Sequence, residues 1–178
     1  SLTSLAIEAV FEISAICVHK INDTLLKKPI YFVSVYRPQG KGELFHLFLE
    51  KMEALITWLF HNNHFYHISG DFNIDLLDKN CSKTKMFTNL LNSFNINAVF
   101  HDVPSRVYKS SSTLIDNCLT NIKIESAVTH DFGLSDHLGQ IVSIDCSKIT
   151  KKLVGSVNQY RLWSNNNRSS FGSLLVYL

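Results

Sequence analysis

The run Ile30-Tyr31-Phe32-Val33-Ser34-Val35-Tyr36 does most to narrow what this chain can fold into. Its residues are mainly β-branched or aromatic, which fill the pleat of a strand and crowd the turns of a helix. Arg37-Pro38-Gln39-Gly40 ends the run, because proline has no ladder donor and glycine opens a turn. The periodicity then changes to that of a helix. Between Glu43 and Phe60, the residues Phe45, Phe48, Met52, Leu55, Ile56 and Leu59 recur at three- and four-residue spacing. A strand closed this sharply and followed at once by an amphipathic helix implies a helix laid on a sheet.

The same two periods parse the rest. Phe11 to His19 is expected to be a strand, followed by a polar connection over Asn22 to Pro29. His61-Asn62-Asn63-His64 closes the first helix, and Phe65 to Ser69 forms a short strand running into Gly70-Asp71. Lys83 to Phe94 is a second helix with Phe87, Leu90, Leu91 and Phe94 inward. Strands are expected at Asn95 to His101, Ser105 to Tyr108, Thr113 to Thr120, Ile124 to Thr129 and Gly139 to Asp145, with a hairpin turn at Ser110 to Ser112. From Lys148 the pattern changes. Residues 148–178 read as a tail leaving a domain at 1–147, with a helix start near Ser164-Asn165-Asn166-Asn167 and a short helix from Phe171. The order of elements implies an α+β fold.

Composition sets limits. The 178 residues are 46% hydrophobic and 18% charged, which suits one domain with a real core. A net charge of +2 implies no broad polyanion-binding field, so nucleic-acid binding would need a local basic patch. No apolar run approaches the roughly 18 residues of a membrane span, and no signal peptide is recognisable. Cys17, Cys81, Cys118 and Cys146 form no CxxC pair. Cys17, Cys118 and Cys146 are expected to be buried reduced thiols, which fits an intracellular, reducing compartment, cytoplasm or nucleus.

Chemistry concentrates at strand ends. In Gly70-Asp71-Phe72-Asn73 the glycine lets the backbone leave the strand, and Asp71 with Asn73 can serve a hard cation or an attacking water. An Asx turn is the competing account of the same four residues. Ser135-Asp136-His137 offers a ligand and a base, or a capped turn before a buried histidine. A Ser-His-Asp relay is excluded for adjacent residues lacking a nucleophile elbow. Asp116 lies in the apolar run Leu114 to Leu119, where a carboxylate is costly unless paired. It either orients a histidine or faces solvent. Tyr36 can donate to a phosphate oxygen or simply pack, and Arg37 is expected at the surface. His61, His64 and His67 read as a helix end and loop, and Asp75 and Asp78 as a solvated turn.

Taken in order, Tyr36-Arg37-Pro38, Gly70-Asp71-Phe72-Asn73, Ser112-Thr113-Leu114-Ile115-Asp116 and Ser135-Asp136-His137 resemble the endonuclease/exonuclease/phosphatase superfamily. Within it they look like the apurinic-type endonuclease domain of non-LTR (LINE-like) retrotransposons. Pro104-Ser105-Arg106-Val107 and Ile74-Asp75-Leu76-Leu77 are in that subgroup's style, and the likeness spans roughly Phe11 to Cys146.

The resemblance implies a DNase I-like, four-layer αββα fold: a two-sheet β-sandwich flanked by helices. It implies hydrolysis of a DNA phosphodiester with Mg2+ or Mn2+ and no small-molecule cofactor. In a full-length relative a C-terminal reverse transcriptase would follow. By match of motif, Tyr36 lies near the phosphate, and Asp71 and Asn73 position water and phosphate. His137 contacts the scissile phosphate, and Asp116 orients it. Asp71, Asn73, Asp136 and His137 are the implied metal ligands. The family's early strand ending in Asn, and the next ending in a metal-binding Glu, are not recognisable before Phe11. Glu12 matches an exposed strand-start glutamate instead. The resemblance therefore implies a domain incomplete at its N-terminus. The competing expectations are a non-catalytic remnant that at most binds nucleic acid, a phosphatase or deadenylase of the same superfamily, and an unrelated interaction module.

Overall fold

The computed structural model describes residues 5–7, 10–22, 24–40 and 44–151. Its centre is a four-stranded sheet in the order β1-β2-β3-β6. Strand β1 (Glu12–Ile21) runs antiparallel to β2 (Thr24–Tyr36), β2 is parallel to β3 (Phe65–Asp71), and β3 is antiparallel to β6 (Asp116–Thr120). Two small antiparallel pairs complete it: β4 (Arg106–Tyr108) with β5 (Ser111–Thr113), and β7 (Ile124–His130) with β8 (Gly139–Ile144). Helices α1 (Phe45–His61) and α2 (Ser82–Ser93) cover one sheet face.

Alternation along each strand decides that face. Val33, Val35, Ile68 and Leu119 turn towards the helices and are buried. The α1 stripe of Phe48, Met52, Leu55, Ile56 and Leu59 meets them fully buried, and Phe87 of α2 joins with its ring 6.1 Å from Phe48 and 5.3 Å from Phe72. Each such side chain contributes roughly 1.5–3 kcal/mol by leaving water. This core holds the sheet rigid up to the ends of β2, β3 and β6.

Several elements depart from expectation. The connection expected at Asn22 to Pro29 is largely strand: β2 starts at Thr24, pairing with Ile21 beside Asn22 at φ 46°. The register jumps between Val18 and Lys20, and this irregularity absorbs Pro29, which cannot donate to a regular ladder. Over Asn95 to His101 the pairing shrinks to an isolated bridge, Ala98 with Leu119, and Val99 N donates to Cys118 O at 2.9 Å. There the buried Asn117 side chain replaces a ladder, accepting from Phe100 N at 3.1 Å and donating to its carbonyl at 2.7 Å.

The single strand expected over Thr113 to Thr120 is two. Leu114 and Ile115 interrupt it because their N–H groups bond to Asp75 Oδ1 and Ser105 Oγ instead of a neighbouring strand. Ser111 and Ser112 belong to β5, and Lys109 at φ 52° makes the turn. Cys118 is buried as expected, whereas Cys17 on edge strand β1 is exposed and Cys146 is half-buried. The expected tail helix and its start at Ser164 lie outside the described residues. Among the described residues no helix is long and apolar enough to cross a membrane.

Candidate active site

One row of paired residues crosses the whole sheet at its upper edge. Glu12 pairs with Tyr36, Tyr36 with Asp71, and Asp71 with Asp116. Partners in register project to the same side, so all four point away from the helices. Glu12 and Tyr36 are exposed; Asp71 and Asp116 are half-buried. Gly70 lets β2 and β3 close up here, because a Cβ on it would run into the Val35 carbonyl.

The segment after β7 delivers His137 to this row. Leu138 N donates to Ser105 O at 2.7 Å, and Val107 N donates to Asp136 O at 2.8 Å, which staples the segment to β4. His137 Nδ1 then lies 2.9 Å from Asp116 Oδ2. Ser105 Oγ, fully buried, donates to the same oxygen at 2.8 Å and accepts from the N–H groups of Ile115 and Asp116. Gln140 Nε2 donates to Asp116 O at 3.0 Å. Ligand atoms of Asp71, Asp116 and His137 all lie within 4.8 Å of one another.

Electrostatics sharpen the picture. Burial pushes the Asp71 carboxyl above its ordinary range. The Asn73 N–H opposes this at 2.9 Å, Asp116 reinforces it, and His137 and Arg37 oppose it further. Asp71 Oδ1 is taken by that N–H, and Asp116 Oδ2 by Ser105 and His137. Two carboxylates so placed repel one another, and a divalent cation relieves both. The oxygen donors fit Mg2+ or Mn2+. His137, 35% exposed at its side chain and bound through Nδ1, presents Nε2 outward. Cys118 beneath the row is no nucleophile at neutral pH, since burial pushes its thiol up to about 11.

Not every expected residue joins the group. Asn73 adopts φ 49° and spends its amide on neighbours, with Nδ2 donating to Arg37 O at 2.7 Å and Oδ1 accepting from Gln39 Nε2 at 2.9 Å. Asp136 is engaged by Arg106 Nε at 2.7 Å, which holds its carboxyl below the ordinary range. Arg37, expected at the surface, is buried. Asp75, expected in a solvated turn, pins the chain through Leu77 N and Leu114 N. His67 lies on β3, not in a loop, and lines a cavity of about 510 Å³ below the row with Ser69, Cys118 and Gln140. Ser105 and Gln140 join the group through Asp116, although no catalytic motif contains either. Only the Pro-Ser-Arg-Val segment signalled the first, and nothing local signalled the second.

The family model for endonuclease-reverse transcriptase matches residues 30–141. The chain belongs to this family. Its fold is that of the endonuclease/exonuclease/phosphatase superfamily, DNase I-like. The endonuclease domain of TRAS1, a telomere-specific non-LTR retrotransposon, superposes with a TM-score of 0.56 at 15% identity, over 74% of this chain and 68% of that one. The catalytic domain of APE2 from Xenopus laevis gives 0.56 at 16%, over 80% and 57%. The 3′ phosphatase NExo from Neisseria, bound to a product DNA hairpin, gives 0.51 at 15%, over 75% and 70%. At these identities the likeness is one of fold. No curated protein matches the chain by sequence. The superfamily comprises nucleases and phosphatases, and its nucleases depend on metal.

Proposed function

We propose that the row at the sheet edge hydrolyses a DNA phosphodiester with Mg2+ or Mn2+, as the nicking endonuclease of a non-LTR retrotransposon. The observation that carries this is the meeting of Asp71, Asp116 and His137 within 4.8 Å, from three segments far apart in sequence. In the reaction, water attacks phosphorus and one P–O ester bond breaks. The Asp71 carboxylate orients that water and takes its proton, and its raised affinity for protons improves it as a base. Ser105 donates to Asp116 Oδ2, which leaves that oxygen to accept from His137 Nδ1–H. With Nδ1 held by Asp116, His137 turns Nε2 to a phosphate oxygen, where it stabilises the charge that develops. Tyr36, 45% exposed beside Asp71, stands ready to donate from the far side. A cation held by Asp71 and Asp116 would neutralise charge on the leaving oxygen, which takes its proton from solvent.

DNA as the substrate is supported by the β4–β5 hairpin beside the site. Tyr108 is 52% exposed between Arg106 and Lys109, whose charges lie 5.9 and 5.2 Å from its ring. A cation-flanked aromatic suits phosphate and base together. In the longer protein a reverse transcriptase would follow this domain.

A plasmid-nicking assay tests the reading. Wild type should nick with Mg2+ and stop with chelator, and Asp71→Ala and His137→Ala should each slow nicking by about 10²–10⁴. Nicking equal in all three would place the chemistry elsewhere. No nicking by pure, folded wild type would leave a domain that at most binds nucleic acid.

A further inference from the structure

We propose that Arg37 is a positioning residue of this site: a buried guanidinium that clamps the Asp71–Asn73 turn and thereby aims the Asp71 carboxylate. Arg37 is only 5% exposed. Its Nε donates to Phe72 O at 2.6 Å, and its terminal nitrogen donates to Asn73 O at 2.5 Å. The planar fork thus grips two successive carbonyls just beyond Asp71. Bonds to the Arg37 backbone close the clamp from both sides. Arg37 N donates to Asp71 O at 2.9 Å, and Asn73 Nδ2 returns a bond to Arg37 O at 2.7 Å. Gln39 caps the outer side through Asn73 Oδ1.

A buried arginine normally faces a carboxylate, because an isolated charge is expensive to bury. Here it faces carbonyls and two rings. The guanidinium carbon lies 5.5 Å from the Phe45 ring centre and 5.6 Å from Phe48, both on α1. Burial makes the proton on Arg37 less secure, and the Asp71 carboxylate offsets this only in part. The arrangement ties the catalytic turn to the rigid helix–sheet core. It also explains how Asn73 is held in the left-handed region, which residues other than glycine seldom adopt. With Asn73 so held, its N–H reaches back to Asp71 Oδ1 and fixes which oxygen remains for water. Lysine substitutes only in part, since a single ammonium does not reproduce a rigid two-pronged donor.

The assignment rests on the nuclease reading, so two kinds of measurement separate them. Nicking rates are compared for wild type, His137→Ala, Arg37→Lys, Arg37→Met and the exposed-site variant Gln39→Ala, each normalised to folded protein. Amide exchange at Asn73 is followed in the same proteins. Arg37→Met should lower kcat about a hundredfold with KM unchanged, the loss expected for a misplacement near 1 Å. Arg37→Lys should recover about tenfold of it, and Gln39→Ala should lose less than either. Exchange of the Asn73 N–H should quicken in the order Gln39→Ala, Arg37→Lys, Arg37→Met. If Arg37→Met does not fold, Arg37→Lys decides by the same two readouts. A folded Arg37→Lys with wild-type kcat and wild-type Asn73 exchange overturns the proposal. So does a loss confined to KM. A wild type that does not nick overturns the nuclease reading alone, and Asn73 exchange still judges the clamp.

Discussion

Asp116 and His137 meet through a single carboxylate oxygen, Oδ2, which lies 2.9 Å from Nδ1 and also accepts from Ser105. Groups joined in this way act as one unit, so their losses should not add. Asp116→Asn and His137→Ala are each expected to lower kcat by about 10²–10⁴. The double variant should be no worse than His137→Ala within about threefold. Single-turnover nicking measures this, and multiplied losses would show that the two residues work separately.

Ser105→Ala should damage stability and catalysis together. The hydroxyl is fully buried and serves two backbone N–H groups as well as Asp116. Its removal leaves buried donors unpaired at a cost of about 1–3 kcal/mol. Urea unfolding of the variant should show a lower midpoint at unchanged slope. An unchanged midpoint would mean that water takes over the hydroxyl's bonds.

Asp71 is expected to trade stability for function. Its carboxyl is raised by burial, so the folded state holds the proton more tightly than the unfolded chain does. Stability from this group is therefore complete below the ordinary carboxylate range and is lost as pH rises through the folded value. Asp71→Asn should melt higher than wild type near neutral pH without divalent cation, by on the order of 1 kcal/mol or less because the group keeps contact with water. The difference should vanish in acid, and adding Mg2+ should raise wild type alone. Melting curves at the two pH values, with and without cation, check all three signs.

Gly70→Ala should disturb the sheet at its most functional point. The new Cβ would overlap the Val35 carbonyl, and backbone cannot swing aside as a side chain can. Separating β2 from β3 costs about 1–3 kcal/mol or more, and moves Tyr36 away from Asp71. Denaturation should show the destabilisation, and nicking per folded molecule should fall as well. A variant as stable as wild type would mean the strands are less tightly joined than described.

Local pattern made much of this legible. Strand β3 and the two helices follow from apolar periodicity, and their observed bounds, Phe45–His61 for α1 and Ser82–Ser93 for α2, lie close to those read from spacing. The β5–β6 break was not legible, because it depends on Asp75 and Ser105 capturing the N–H groups of Leu114 and Ile115 from a distance. Arg37 looked like a surface residue for the same reason: nothing adjacent announces the carbonyls of Phe72 and Asn73, some thirty-five residues away.

By itself the amino-acid order determined the kinds of element, their succession and the family, since periodicity and short motifs are properties of neighbouring residues. Only the folded chain decided who meets whom. Register aligned Tyr36, Asp71 and Asp116 in one row, and the staple between Leu138 and Ser105 brought in His137. It also turned Asn73 towards Arg37 and gave Asp136 to Arg106. These outcomes rest on hydrogen bonds between distant segments, whose geometry is set when the sheet packs against its helices and not before.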